Sequence, residues 1–293
     1  MYLNNLPFLT IGLPFFNNQE TLANAIKSVL IQSFKNWELI LIDDGSTDRS
    51  YHIANELARV DSRIKLISDG ENKGLIHRLN QIIDLARGNY IARMDSDDMM
   101  MPNKLERQMK ILIENDSIDL IDTAAYIINE KDKPIGMRGM GDINTWNKKK
   151  VLKKGLLFHP TIVAKTSWYK SNKYDKEYIR SEDFELWCRT YEYTVFFRIY
   201  EPLFIYREGN VNVKNYVASN QTIRKIIRKY APGVLSNTEL VLEILKTYLK
   251  NYLYYAFSIF NMQYTLSSTR NVKLNKFQID EVKDVINRIK NFK

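Results

Sequence analysis

Short apolar runs alternate with helix-type patterns along the first hundred residues of the chain. In the helix-type segments, apolar residues recur every three or four positions, whereas the runs between them are continuously apolar, as in buried strands. The predicted strands are 8–13, 37–42, 63–67 and 90–94, and the predicted helices are 20–33, 49–59 and 75–86. Strand–helix–strand alternation requires right-handed crossovers, so the pattern predicts a mostly parallel α/β sheet.

The next hundred residues continue this alternation less regularly. The predicted helices are 102–115 and 182–193, and the predicted strands are 119–128, 156–165 and 195–206. Charged residues and glycines at 130–154 indicate a mobile segment. Beyond residue 210 the pattern is helical, and the helix at 240–260 has two interpretations. It packs on the core or on a second subunit, or it lies on a membrane through aromatic and basic side chains.

The stretch Asp95-Ser96-Asp97-Asp98 directly follows the predicted strand 90–94. Three carboxylates in four residues repel one another unless a cation neutralises them. Mg²⁺ and Mn²⁺ take oxygen ligands, usually one or two carboxylates together with substrate phosphates. An acidic turn that caps the next helix is the alternative, because Met101-Pro102 follow shortly afterwards.

Polar clusters end two more of the predicted strands, at residues 14–17 and 43–48. In open parallel sheets, ligands bind beyond the carboxyl ends of the strands. The clusters and the acidic stretch would therefore share one sheet edge, and the sequence predicts a metal–diphosphate site there.

Composition narrows the class of protein. The 293 residues carry a formal net charge of +9, which suggests an anionic partner such as a nucleotide or a membrane surface. Nucleic acid is a weaker candidate because no basic–aromatic module is recognisable.

Cys188 is the single cysteine, so an intrachain disulfide and a cysteine-based zinc cluster are excluded, and we expect a buried structural thiol. The sequence shows no signal peptide and no apolar run long enough to cross a bilayer, which favours the cytoplasm.

Several motifs occur in a specific order and spacing. They are Leu13-Pro14-Phe15-Phe16-Asn17, Leu41-Ile42-Asp43-Asp44-Gly45-Ser46-Thr47-Asp48, Asn72-Lys73-Gly74, Ala86-Arg87-Gly88-Asn89-Tyr90-Ile91, Met94-Asp95-Ser96-Asp97-Asp98 and Arg180-Ser181-Glu182-Asp183-Phe184-Glu185-Leu186-Trp187. Over about residues 6–207 the chain thereby resembles bacterial family 2 glycosyltransferases, which are inverting enzymes of the GT-A fold.

The resemblance implies a Rossmann-like, mostly parallel sheet flanked by helices, with a C-terminal helical extension. The catalytic domain would span 1–210, with a nucleotide-sugar half at about 1–100 and an acceptor half at 101–210. Residues 211–293 would form the extension, which lies outside the resemblance.

The resemblance also implies roles for individual residues. Asp44 would accept the imide N–H of uracil, Arg78 would approach the diphosphate, and Asp183 would be the catalytic base. Asp97 would bind Mn²⁺ or Mg²⁺, with Asp95 near both the metal and the ribose. The remaining residues expected to bind the nucleotide-sugar are Pro14, Phe16, Asn17, Glu20 and Ser96.

The function expected from this resemblance is transfer of a hexose or N-acetylhexosamine from a UDP-sugar to a glycan or glycolipid. Such a reaction belongs to the synthesis of bacterial surface polysaccharide or lipooligosaccharide, at the inner face of the cytoplasmic membrane. Two alternatives stay open: a nucleotide-sugar-binding assembly subunit without its own activity, and a nucleotidyltransferase. The nucleotidyltransferase is weaker because the start of the chain lacks a glycine-rich phosphate loop. The sugar, the linkage and the oligomeric state are not readable from sequence.

Overall fold

A computed structural model describes residues 8–143, 145–260 and 262–292. The ends of the predicted domains, at 1–7 and 293, and Asn144 in the segment predicted to be mobile lie outside the described residues. The strands are β1 (Leu9–Phe15), β2 (Trp37–Asp43), β3 (Ile64–Ser68), β4 (Tyr90–Arg93), β5 (Met99–Met100), β6 (Leu120–Ile128), β7 (Pro134–Arg138), β8 (Val163–Lys165) and β9 (Phe196–Arg207). The helices are α1 (Leu22–Leu30), α2 (Ser50–Val60), α3 (Leu75–Leu85), α4 (Lys104–Glu114), α5 (Lys148–Lys154), α6 (Thr166–Ser171), α7 (Glu182–Thr190), α8 (Val213–Tyr230), α9 (Asn237–Ile259), α10 (Gln263–Ser268) and α11 (Lys276–Lys290).

One sheet organises the fold, with the strand order β3-β2-β1-β4-β8-β6-β9-β5, and β7 pairs with β6. The first four strands along the chain pair with one another only in parallel, and every residue of β1, β2 and β4 is buried. Burial on both faces explains their continuous apolar runs. Gly12 lies on β1 where α3 crosses the sheet, and a Cβ there would stand 2.4 Å from Ile82.

The predicted α/β class is confirmed, but pairing is more mixed than expected beyond β4. There β8 runs antiparallel to both β4 and β6, while β6 and β9 are parallel. The run predicted as a strand at 156–165 is a 3₁₀ turn over His159–Thr161 followed by the short β8. Pro160 explains the break, because it lacks an N–H and fixes its own φ. The segment 130–154 contains β7 and α5.

The helical C-terminal part is present and returns to the sheet. Helix α11 buries Val282, Ile286 and Ile289 in an apolar cluster with Tyr126 of β6 and Met137 of β7. The Tyr126 hydroxyl donates a 2.8 Å hydrogen bond to Glu281. Among the described residues, no helix combines the length and the apolar composition that crossing a bilayer requires. The domain boundary at 210 stays a prediction.

Candidate active site

A cleft of about 480 Å³ lies beyond the carboxyl ends of β1, β2 and β4. Parallel register places these ends side by side, since Phe15 lies opposite Asp43 and Gly12 lies opposite Arg93. The predicted site residues that line the cleft are Pro14, Phe16, Asp44, Arg78, Asp95, Ser96 and Asp97. The sheet therefore brings together side chains that are up to 83 positions apart in the sequence.

Asp44 is held rigidly at the start of α3. Its carboxylate accepts hydrogen bonds from the backbone N–H of Lys73 at 2.8 Å and of Gly74 at 3.0 Å. Gly74 has a φ of +83°, a conformation that favours glycine and turns the loop toward Asp44. Arg78 Nε donates a third hydrogen bond at 2.7 Å. These donors fix the orientation of the carboxylate at the cleft wall.

Arg78 is fully buried, and each of its N–H groups already has a partner in the protein. Beside Asp44, the guanidinium donates to both oxygens of Asp69 at 2.6 and 3.0 Å, to Gln81 Oε1 at 2.9 Å and to the Glu71 carbonyl at 2.5 Å. These hydrogen bonds, with that to Asp69 first, raise the pKa of Arg78. The side chain lines the cleft, but in this structure it orients Asp44 and the 69–71 loop.

The acidic stretch forms a compact oxygen cluster. Oxygen atoms of Asp95, Asp97 and Asp98 lie within 4.8 Å of one another. Burial and the neighbouring charge of Asp95 raise the pKa of Asp97 to about 6, and burial raises the pKa of Asp98 well above its usual value. Asp98 Oδ1 accepts the Arg207 N–H at 2.8 Å, whereas its buried Oδ2 has no hydrogen-bond partner among the described residues.

This cluster fits a hard divalent cation. It offers several carboxylate oxygens, an orphaned buried oxygen and an excess of negative charge that ordinary hydrogen bonding leaves unsatisfied. Asp98 therefore joins Asp95 and Asp97 as a candidate ligand, beyond the helix-capping alternative raised by the sequence.

Arg93 is buried at the end of β4 and forms a bidentate pair with Asp95, at 2.8 and 2.6 Å. Burial opposes its charge, but the neighbouring carboxylates, with Asp95 first, more than offset this and raise the pKa of Arg93. Its Nε lacks a hydrogen-bond partner within the described part of the chain. Burial raises the pKa values of Glu182 and Asp183, and the charge of Arg93 opposes part of that rise, so this side chain couples two motifs that are far apart in sequence.

Glu182 and Asp183 open helix α7. Burial, followed by the charge of Asp183, raises the pKa of Glu182 to about 7, and burial also raises the pKa of Asp183. Asp183 is half-buried and does not belong to the described cleft wall, but the charges of Arg93 and Asp95 act on it.

Two residues expected in the nucleotide pocket lie elsewhere. Asn17 has a φ of +52°, and its side-chain oxygen accepts the N–H of Thr47 at 2.8 Å, so it ties together two loops. Glu20 is exposed, and the described cleft wall includes neither Asn17 nor Glu20. Asn18 lines the cleft instead, and its side-chain oxygen accepts a hydrogen bond from Ser96 at 2.8 Å.

Three further side chains, which do not belong to the described cleft wall, are buried in the fold. Cys188 is buried and free, as predicted, and burial raises the pKa of its thiol. His159 is buried, its Nε2 lies 2.8 Å from the Tyr174 hydroxyl, and burial, followed by the charge of Arg93, lowers its pKa well below the usual value. Trp187 is buried in the same aromatic cluster, with ring centroids 6.1 Å from His159.

Sequence reasoning missed Asn18, Arg93, Tyr206 and Arg207. Tyr206 lines the cleft on β9, and burial, followed by the charge of Asp98, raises the pKa of its hydroxyl. Arg207 Nε donates to the Asp97 carbonyl at 3.0 Å and so fixes the acidic loop. For Arg93, the sequence did contain a signal: it is an arginine inside an otherwise apolar run, and a buried charge needs a partner of opposite charge.

Comparison with known proteins agrees with this geometry. A family model described as glycosyl transferase family 2 matches residues 10–198. The putative glycosyltransferase EpsE of Bacillus subtilis (strain 168) is 36% identical over 195 residues, which cover 65% of this chain and 69% of that protein. The Escherichia coli WfgD, a UDP-Glc:alpha-D-GlcNAc-diphosphoundecaprenol beta-1,3-glucosyltransferase, is 32% identical over 179 residues, covering 61% of this chain and 68% of that protein.

Solved structures share the fold at low sequence identity. S. aureus TarS in complex with UDP-GlcNAc superposes with a TM-score of 0.59 at 16% identity, covering 96% of this chain and 80% of that one. The mannosyltransferase PcManGT from Pyrobaculum calidifontis, in complex with GDP-Man and Mn²⁺, gives a TM-score of 0.59 at 14% identity, with 90% and 74% covered. The fold is thus that of GT-A glycosyltransferases. Together with the match over residues 10–198, this places the chain in glycosyl transferase family 2.

Proposed function

We propose that this protein is an inverting, metal-dependent transferase that moves a hexose or N-acetylhexosamine from a UDP-sugar to a glycan acceptor. The observation that carries the proposal is one cleft lined both by the fixed carboxylate of Asp44 and by Asp95 and Asp97 of the acidic cluster. A nucleotide base and a diphosphate need these two kinds of partner in one cleft.

Asp44 gives the cleft its preference for the donor base. A carboxylate held in place accepts a hydrogen bond from a ring N–H but not from a ring nitrogen that presents a lone pair, so uracil suits it. Pro14 and Phe16 border the same wall, and Phe16 is 43% exposed, which leaves its ring free to cover a base. UDP and UDP-GlcNAc are bound in the solved TarS complexes, which supports the same donor class here.

Asp95, Asp97 and Asp98 would hold Mn²⁺ or Mg²⁺. When bound, the cation stabilises the negative charge that develops on the departing diphosphate. The protein's own part is to keep the carboxylates oriented: Arg93 holds Asp95, and Arg207 fixes the loop at Asp97 and Asp98. The Mn²⁺ in the PcManGT complex supports this choice of metal ions.

Asp183 would act as the general base. The acceptor hydroxyl attacks the anomeric carbon, its proton passes to the Asp183 carboxylate, and the bond to UDP breaks with its electron pair leaving on the diphosphate. Direct attack on the face opposite the leaving group inverts the anomeric centre. The raised pKa of Asp183 strengthens it as a proton acceptor. Asp183→Asn should lower kcat by about 10²–10⁴-fold with a small change in the KM for the donor.

The acceptor would be a growing surface glycan or its lipid-linked form, with the enzyme in the cytoplasm and in peripheral contact with the membrane through its C-terminal helices. The names of two relatives support this class: WfgD acts on a diphosphoundecaprenol-linked sugar, and TuaG is a putative teichuronic acid biosynthesis glycosyltransferase.

The first test is a thermal-shift panel of UDP, dTDP, GDP and CMP, each with Mn²⁺ or EDTA, on wild type and Asp97→Asn. A ligand that binds only the folded state raises the unfolding temperature. We expect a Mn²⁺-dependent shift with UDP that Asp97→Asn abolishes. A preference for another nucleotide would overturn the donor assignment, and binding without sugar transfer to any glycan acceptor would favour an assembly subunit over an enzyme.

A further inference from the structure

Helix α9 packs against the protein through a face that includes buried polar side chains, and it exposes a row of apolar side chains to solvent. Glu243 and Thr247 are buried, and Thr247 Oγ1 accepts a 3.0 Å hydrogen bond from Arg224 of α8. Asn251 accepts a hydrogen bond from Asn220 of α8 at 2.6 Å. Leu240, Ile244 and Tyr254 also face the protein, but an ordinary surface helix does not expose a second apolar stripe on its outer side.

The apolar side forms one continuous strip, which we call the outward face of α9. It consists of Val241, Leu245, Leu249, Tyr252, Tyr255 and Ile259, at spacings of three or four residues. Each of these side chains is more than half exposed, from 52% at Val241 to 69% at Tyr252. With 23 residues, α9 makes the strip roughly 35 Å long. Scattered exposed apolar residues are normal, but a continuous strip of this size marks a contact surface.

The formal charge is concentrated in the same part of the chain. Residues 211–293 contain 14 of the 43 Lys and Arg but only 5 of the 34 Asp and Glu, so the whole net charge of +9 belongs to the extension. On α9 itself, Lys246 and Lys250 are exposed and directly follow Leu245 and Leu249 of the outward face. Lysine beside leucine and tyrosine on one helix is the composition of segments that lie in the interface of an anionic bilayer.

We propose that the outward face of α9 docks the protein onto an anionic lipid surface, with the helix lying in the plane of the membrane. Tyrosine and leucine side chains enter the headgroup region, and the exposed Lys246 and Lys250 of the same helix reach toward the lipid phosphates. A second copy of the chain fits this face less well, because it would bring two extensions of the same high positive charge together.

Helix α8 connects the docked helix α9 to the segment that carries Asp183. Helix α8 packs against both α7 and α9, and its Thr222 hydroxyl donates a 2.9 Å hydrogen bond to the Ile179 carbonyl, three residues before Glu182. The docked helix is therefore rigidly connected to the segment that carries Asp183. This step rests on the proposed function, since it explains how a base near a membrane surface would meet a lipid-linked acceptor.

The test is flotation of the full chain with vesicles of phosphatidylcholine alone or mixed equally with phosphatidylglycerol. We expect binding to the mixed vesicles, weakened by high salt. Leu245→Glu combined with Tyr252→Glu should lower that binding by roughly tenfold or more, because it places two charges in the apolar strip. Val60→Glu, at an exposed apolar position on α2, is the matched control and should bind like wild type.

Three results would overturn the proposal: equal binding to both vesicle types, unchanged binding by the double variant, or a wild-type dimer in light scattering that the double variant dissociates. All variants are also measured for the unfolding temperature and for its shift with UDP and Mn²⁺. If the double variant loses vesicle binding but keeps the shift of the unfolding temperature with UDP and Mn²⁺, docking is supported separately from nucleotide binding. If the wild type binds vesicles but shows no such shift, the proposed function is contradicted and the docking proposal is not.

Discussion

The guanidinium of Arg93 donates to both carboxylate oxygens of Asp95, and its charge also acts on Glu182 and Asp183 at the start of α7. Arg93 lies on a buried strand, whereas Asp95 is on the cleft wall. A buried arginine in this position orients one candidate metal ligand, and its charge opposes part of the rise that burial causes in the pKa values of Glu182 and Asp183. Arg93 is thus a positioning residue whose effect reaches both halves of the site.

We expect Arg93→Met to lower kcat by about 10²-fold or more and to move the acid limb of the pH–rate profile to higher pH. Loss of the cation leaves Asp95 unpaired and removes an attraction that favours the ionised form of Asp183. The measurement is kcat/KM against pH for wild type, Arg93→Met and Arg93→Lys, and the lysine variant should restore part of the profile. Arg107→Met, in an exposed ion pair with Glu201, is the control. A loss of rate without any movement of the profile would contradict the electrostatic role.

The Arg78→Lys variant distinguishes two roles of Arg78 in nucleotide binding: contact with the diphosphate, or positioning of Asp44. If Arg78 contacts the diphosphate, Arg78→Lys weakens UDP binding and leaves uridine unaffected. If it mainly positions Asp44, as its existing hydrogen bonds indicate, the affinities for UDP and uridine fall together, by roughly 10- to 150-fold, since one charge-assisted hydrogen bond is worth about 1.5–3 kcal/mol. Calorimetry with both ligands, alongside Asp44→Asn, decides between them. An unchanged affinity for uridine would mean that Arg78 contacts the diphosphate and does not act mainly through Asp44.

The sequence alone was sufficient to predict the parallel half of the fold. Strands such as β1 and β2 are buried on both faces, and their apolar runs are hard to mistake. The second half was harder, because β8 has three residues and depends on pairing with β4 and β6 rather than on its own pattern. Short strands of this kind are fixed by tertiary contacts.

In the candidate site, too, some residues could be predicted from the sequence and others could not. Asp44 and Asp97 follow strand ends, so the topology alone takes them to the cleft. Asn17 and Asn18 could not be told apart, because the positive φ of Asn17 turns its side chain onto the next loop and leaves Asn18 facing the cleft. The importance of Arg93 becomes visible only once Asp95 and α7 are placed around it in space.

Asp98→Asn should stabilise the metal-free protein while weakening its response to Mn²⁺. Asp98 is fully buried, and burial raises the pKa of its carboxyl, so the ionised side chain costs free energy when no cation is bound. Asparagine keeps the oxygen that accepts the Arg207 N–H and removes the charge. We expect the unfolding temperature in EDTA to rise by about 2–4 °C, or about 1 kcal/mol.

The same Asp98→Asn variant should lose most of the upward shift that Mn²⁺ and UDP give the wild type. Asp116→Asn, at a carboxylate that is 96% exposed, is the matched control and should change neither quantity. A lower unfolding temperature in EDTA would mean that the Asp98 carboxylate is a structural acceptor and not a strained metal ligand.

Glu182 gives the metal-free protein a pH-dependent stability with a defined sign. Its pKa is about 7 in the folded state, mainly because of burial, against the usual value of 4.5, so the folded state binds the proton more tightly than the unfolded state does. The contribution of Glu182 to stability is therefore fully present below pH 4.5 and is lost as the pH rises through about 7. The loss is at most about 3 kcal/mol, since each pKa unit corresponds to about 1.4 kcal/mol.

Chemical denaturation in EDTA between pH 4.5 and 8 tests this on wild type and Glu182→Gln. The glutamine variant should match the wild type at the acidic end and exceed it in stability at pH 8, because it has no charge to bury. Glu56→Gln, at an exposed position on α2, controls for the chemistry of the substitution and should follow the wild-type curve. Parallel curves for wild type and Glu182→Gln would show that Glu182 is solvated, and that α7 does not hold an acid of raised pKa beside Asp183.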